Sequence, residues 1–160
     1  MTTIERDGRT MIQSFVAHEH HELSAGIDHL HEVACELQTA PANQMAGRVG
    51  SVLRWVDTTL KPHMAWEDEW LFPQIDQRAN TPWATRLIRF DHRQIARQAE
   101  RLSTHRVNLE HGPSPDALVE IRSDMFALEA LVRANLEREE SFLMPLLESE
   151  ADRWASEWRD

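Results

Sequence analysis

His63 and Glu67 stand four residues apart, and Asn135 and Glu139 repeat that spacing 72 positions later. His20 and His92 are separated by the same 72 positions. Residues four apart share a helix face, so His63 and Glu67 would offer an imidazole nitrogen and a carboxylate oxygen to one point in space. Mixed nitrogen and oxygen donors without thiolate suit iron or manganese better than a structural zinc. The composition asks for such a reason too, with nine histidines in 160 residues and no tyrosine.

The same interval relates Leu23 to Ile95, Leu30 to Leu102, Val49 to Ile121, Leu71 to Leu143 and Pro73 to Pro145. The chain therefore reads as a duplicated helical hairpin. Its two halves would bring His20, His63, Glu67, His92, Asn135 and Glu139 together across a pseudo-twofold axis. Ionised carboxylates in an apolar core repel each other and are costly to desolvate unless they are paired or coordinated. A metal ion removes both penalties, and two bridging carboxylates suit a pair of metals.

Helices must position these residues. Glycine is sparse, with five residues, and long stretches carry apolar side chains at helical spacing. The pattern predicts helices from about Thr10 to Gln38, Gln44 to Asp76, Pro82 to Leu109 and Pro115 to Glu148, with a short fifth from Arg153 to Arg159. Short connections give an all-α, antiparallel up-down-up-down four-helix bundle with a short C-terminal helix. A length of 160 residues suits one domain, with the bundle spanning about residues 10–148.

The inward seams can be written out. The first helix offers Ile12, Val16, His20, Leu23, Ile27, Leu30, Ala34 and Leu37, and the second Val49, Leu53, Val56, Leu60, His63, Glu67 and Trp70. The third offers Ile88, His92, Ile95, Ala99, Leu102, Arg106 and Leu109. The fourth offers Ile121, Met125, Leu128, Val132, Asn135, Glu139, Phe142 and Leu146. His18 and His21 flank His20 but point off the seam, and His29, His31, His105 and His111 read as solvated. Trp66 and Trp70 read as packing residues. Pro62, one residue before His63, should kink or loosen its helix.

Charge and composition exclude other classes. The net charge is -10, from 17 basic and 27 acidic residues, with the basic ones scattered, which argues against a nucleic-acid partner. No apolar run approaches the roughly 18 residues of a membrane span. The polar segment Met1 to Arg9 lacks the apolar stretch of a secretory signal, so the expected location is cytoplasmic. A single cysteine, Cys35, excludes an intramolecular disulfide, a Cys-rich knuckle and a CxxC pair, so cysteine chemistry is not the main theme.

The chain resembles the haemerythrin-like domains of the HHE cation-binding family, whose pattern is His on the first helix, HxxxE on the second, His on the third and HxxxE on the fourth. The matching text is Glu19-His20, then His63 to Glu67 running on to Leu71-Phe72-Pro73, then Asp91-His92, then Asn135 to Glu139 running on to Leu143-Met144-Pro145. The resemblance covers about Thr10 to Glu148. It implies a non-haem centre of two irons, with manganese as the alternative metal, held by His20, His63, Glu67, His92, Asn135 and Glu139.

Two departures shape the expected function. Oxygen-carrying haemerythrins have a second His one turn after the third-helix His and end with HxxxxD; here Ala96 takes the first position and the second motif is missing. Asn135 stands where the family has its fourth-helix His, so the metal held by His92 and Asn135 should be the looser one. An incomplete ligand set leaves coordination positions open to a small ligand. The expected activity is binding or reducing a small oxidant: oxygen, hydrogen peroxide or nitric oxide. The alternatives are a non-enzymatic sensor or store of iron, and a helical interaction protein whose Trp154 and Trp158 face makes a homodimer contact.

Overall fold

Apolar side chains recurring every three or four residues bury themselves only if the backbone coils, and coil is what this chain does. The computed structural model describes residues 3–106, 109 and 113–143, which form helices and turns with no strand among them. Helix α1 (Thr3–Glu36) begins before the expected Thr10. Its end is closed by backbone hydrogen bonds from Thr39 and Ala40 to the Glu36 carbonyl, at 2.9 and 2.8 Å.

A second helical run follows without interruption. It comprises α2 (Ala42–Trp55), the π-helical segment π1 (Val56–Leu60), α3 (Lys61–Trp66), a second segment π2 (Glu67–Leu71) and α4 (Phe72–Arg78). Asn80, at φ 49°, turns the chain in the left-handed conformation that asparagine tolerates.

Helix α5 (Arg86–Thr104) starts later than the expected Pro82. The Asp76 carboxylate accepts hydrogen bonds from the Thr85 backbone N–H and hydroxyl at 3.0 to 3.1 Å, and this holds the preceding residues in turns. Helix α6 (Pro115–Arg138) opens with the side chain of Ser114 accepting from the Ala117 N–H at 3.2 Å and with Pro115 in its first turn. It runs into π3 (Glu139–Leu143). The expected continuation to Glu148, the short fifth helix with Trp154 and Trp158, and His111 lie outside the described residues.

Helix α6 packs against α1 and α5, and α1 packs against α2. The buried apolar residues fall into two clusters. The larger includes Leu23, Ile27, Leu53, Leu60, Met64, Ile95, Leu102, Met125, Val132 and Leu136. The smaller includes Val16, Leu71, Phe72, Ile75, Ile88 and Leu143. Between them, on each of the four helical runs, lie the polar residues of the seams. Gly26 lets α1 and α2 approach closely, since a Cβ there would overlap the Trp55 indole.

Three seam assignments need correction. Trp70 and Phe142 are exposed, at 43% and 63%, and the buried positions are Leu71 and Leu143. A π-turn inserts one extra residue, so the inward stripe slips forward by one at the same place in both halves. Arg106 also faces outward, paired with Asp57 at 3.1 Å. Its neighbour His105, expected in solvent, is instead buried, and its Nε2 lies 2.9 Å from the Asp124 carboxylate of α6. Asp124 also accepts from Gln98 at 3.0 Å and pairs with Arg101 at 2.9 Å, so a fully partnered polar latch joins α5 to α6. Among the described residues no helix is long and apolar enough to cross a membrane.

Candidate metal centre

The local backbone explains how the second and fourth runs present their carboxylates. Glu67 is the first residue of π2 and Glu139 the first residue of π3. A proline has no N–H and its ring clashes with the carbonyl four residues back. Immediately before Pro62 the Lys61 N–H bonds to the Val56 carbonyl, and immediately before Pro73 the Phe72 N–H bonds to the Glu67 carbonyl. Both are five-residue steps. The widened turn accommodates the proline without ending the helix, so Pro62 loosens the helix as its position predicts. Pro145 stands in the same relation to π3 in the sequence.

All six predicted residues, His20, His63, Glu67, His92, Asn135 and Glu139, are buried, at 5% exposure or less. The structure brings them to one place. His63 Nε2 lies 3.2 Å from Glu67 Oε2, and His20 Nε2 lies 3.2 Å from Glu139 Oε2. His92 Nε2 faces both carboxylates, 3.3 Å from Glu67 and 3.6 Å from Glu139. One ligand atom from each of His20, His63, Glu67 and Glu139 lies within 4.8 Å of the other three. Asn135 donates its amide N–H to Glu139 Oε1.

Behind the outward ring nitrogens lie carboxylates that the seam pattern did not reveal, although only His92 Nδ1 is within hydrogen-bond reach of one and His63 Nδ1 has no hydrogen-bond partner. His92 Nδ1 is 3.1 Å from Asp68, which is held in turn by Arg89 at 3.2 Å. His20 Nδ1 lies 3.5 Å from Glu140, and His63 Nδ1 lies 3.6 Å from Glu19. Each imidazole aims Nε2 at the centre and has a carboxylate on its outer side; for His92 the contact is a hydrogen bond, the arrangement that fixes the orientation of a metal-binding histidine and raises its basicity. Arg138, next to Glu139, donates to Asp91, next to His92, at 2.7 Å. His18 and His21 are exposed, His29 bonds Ser51 at 2.8 Å, and Trp66 stacks on Trp70 at 5.3 Å.

Electrostatics and hydrogen bonding both mark the cluster as a donor set. Among the described residues, nine buried side-chain polar atoms lack a hydrogen-bond partner, and eight belong to these six residues. They include Nε2 of all three histidines, both oxygens of Glu67 and Asn135 Oδ1. Burial without a partner is costly for any of them. Their mutual separations approach the roughly 3 Å between adjacent donors around an ion with bonds of about 2.1 Å. Burial disfavours charge on His92, yet the facing carboxylates of Glu139 and Glu67 push its pKa up to about 10. His20 is raised against burial by Glu139, and Glu67 is lowered against burial by His63 and His92. Protons therefore take up part of the role of a cation, and the residues fit a metal.

The family model of the hemerythrin HHE cation binding domain matches residues 11–147. Comparison with curated proteins and with solved structures found no match.

Proposed function

Since the chain belongs to the hemerythrin HHE cation-binding family, we propose that its buried cluster is a non-haem di-iron centre that binds or reduces oxygen, hydrogen peroxide or nitric oxide. The carrying observation is the convergence of unpartnered Nε2 and carboxylate atoms from four helical runs on one buried layer. Iron bound there would supply a redox-active Lewis acid with positions open to a small ligand. His20, His63, Glu67 and Glu139 form the more complete donor set, and His92 with Asn135 the weaker one. The chain's own Asp68 fixes the His92 imidazole through a hydrogen bond to Nδ1, and the flanking apolar clusters keep bulk water from the layer.

The four-helix bundle belongs to the same proposal. Along α1 and α5 the chain passes from the smaller apolar cluster through the polar layer to the larger one, as Val16, His20, Leu23 and Ile88, His92, Ile95 show. Along the other two runs the order is reversed, as Leu60, His63, Leu71 and Val132, Asn135, Leu143 show. This alternation supports up-down-up-down packing.

Oxidant consumed per iron-loaded chain tests the function. Peroxide or nitric oxide removed over many turnovers supports an oxidoreductase. Consumption that stops at one equivalent per centre supports the sensor or store, and no reaction with any of the three oxidants overturns the reading.

A further inference from the structure

Cys35, His31 and Glu129 meet on the outer face of the α1–α6 contact. His31 lies 11 residues beyond His20, about 16 Å further along α1 at 1.5 Å per residue. The Cys35 thiol is exposed and free, and its Sγ is 3.5 Å from His31 Nε2 one turn back on the same helix. His31 Nδ1 reaches across to Glu129 Oε2 on α6 at 2.8 Å, and its ring packs edge-on against Phe126 with centroids 5.7 Å apart. Glu129 Oε1 accepts from Arg133 at 3.0 Å, and Arg133 donates to Asp28 at 2.7 Å.

The chemistry of this chain of contacts is directional. Burial raises the Glu129 carboxyl, but His31 and Arg133 outweigh it and hold it below the ordinary carboxylate range. An ionised carboxylate only accepts, so the proton of the His31–Glu129 hydrogen bond sits on Nδ1, and Nε2 is the ring nitrogen that faces the thiol. Nucleophile, proton acceptor and orienting carboxylate then stand in the order of an activated nucleophile, drawn from two packed helices. The structure also places the sulfur in open solvent, where small reagents have access.

We infer that Cys35, His31 and Glu129 form a second reactive site, a thiol that hydroperoxides oxidise to a sulfenic acid. His31 Nε2 takes the thiol proton, and the sulfur attacks one peroxide oxygen. An S–O bond forms as the O–O bond breaks, the sulfur loses two electrons, and the other oxygen leaves as hydroxide. That hydroxide is protonated to water, so thiol and hydrogen peroxide yield sulfenic acid and water.

The inference is independent of the metal proposal, because iodoacetamide reads the thiol alone. With one cysteine in the chain, intact-protein mass follows the reaction without digestion. At pH 7 the wild type should be alkylated at least about tenfold faster than N-acetylcysteine, whose ordinary thiol is mostly protonated there. His31→Ala should return the rate to that of the free thiol, and Glu129→Gln should lower it part of the way. Hydrogen peroxide followed by dimedone should add one adduct to the wild type, far more slowly to His31→Ala and not to Cys35→Ser. A wild-type rate equal to N-acetylcysteine, or alkylation and adduct formation unchanged by both His31→Ala and Glu129→Gln, would overturn the inference.

Discussion

His92 Nε2 faces both carboxylates of the centre, whereas His20 and His63 each lie nearest to one. That asymmetry makes individual ligands separable by mutation. His63→Ala and Glu67→Ala should each weaken iron binding by more than the roughly 10- to 100-fold typical of losing an outer-sphere partner. His29→Ala, on the surface, should leave it unchanged; equal iron content in all three purified variants would refute the donor set. Asn135→His should hold a second iron through a chelator challenge that strips it from the wild type. It should also react more slowly with oxidant, because the added ligand fills an open position. Iron stoichiometry and reactivity both unchanged would remove Asn135 from the account. The central residues were legible because polar side chains interrupting an apolar seam, in two copies 72 positions apart, demand a compensating partner. Asp68, Glu140 and Glu19 were not, since each sits beside a ligand or on another helix and looks like an ordinary surface acid. The burial of His105 is not legible in its own segment because its partner, Asp124, is on a different helix, 19 residues away.

Among the elements, the π-segments explain where a regular helical period fails. A 3.6-residue repeat found all four helical runs, yet carried past Glu67 and Glu139 it selected Trp70 and Phe142 over Leu71 and Leu143. The signal for the slip is the proline two residues after each segment: Pro62 after π1, Pro73 after π2 and Pro145 after π3. At the contact of α1 with α2, Gly26 exists to admit the Trp55 indole. Gly26→Ala would gain helix propensity of about 1 kcal/mol and lose more to overpacking, typically about 1–3 kcal/mol. The variant should therefore melt below the wild type in a denaturation experiment, and Gly26→Ala with Trp55→Phe should recover part of the loss. A stabilised Gly26→Ala would mean that the two helices do not approach this closely.

Across the whole molecule, a polar layer divides the apolar interior, so stability depends on how that layer and the latch beyond it are satisfied. In the latch, burial raises the Asp124 carboxyl, but His105, Gln98 and Arg101 together hold it below its ordinary value. A lowered folded pKa contributes stability that is fully present above the unfolded value of about 3.9 and is lost as pH falls through the folded one. Asp124→Asn should thus be less stable than the wild type at neutral pH, with the difference narrowing below about pH 4 in urea titrations. A pH-independent difference would place the latch's contribution in packing alone. The central claim is that the buried layer is a metal centre. Its most direct measurement is the metal content of aerobically purified protein together with its optical spectrum. Two irons per chain are expected, the second more easily removed by chelator, with near-ultraviolet charge-transfer bands that disappear in Glu67→Ala. A fully folded protein that contains no metal and takes up none when iron is supplied would contradict that claim.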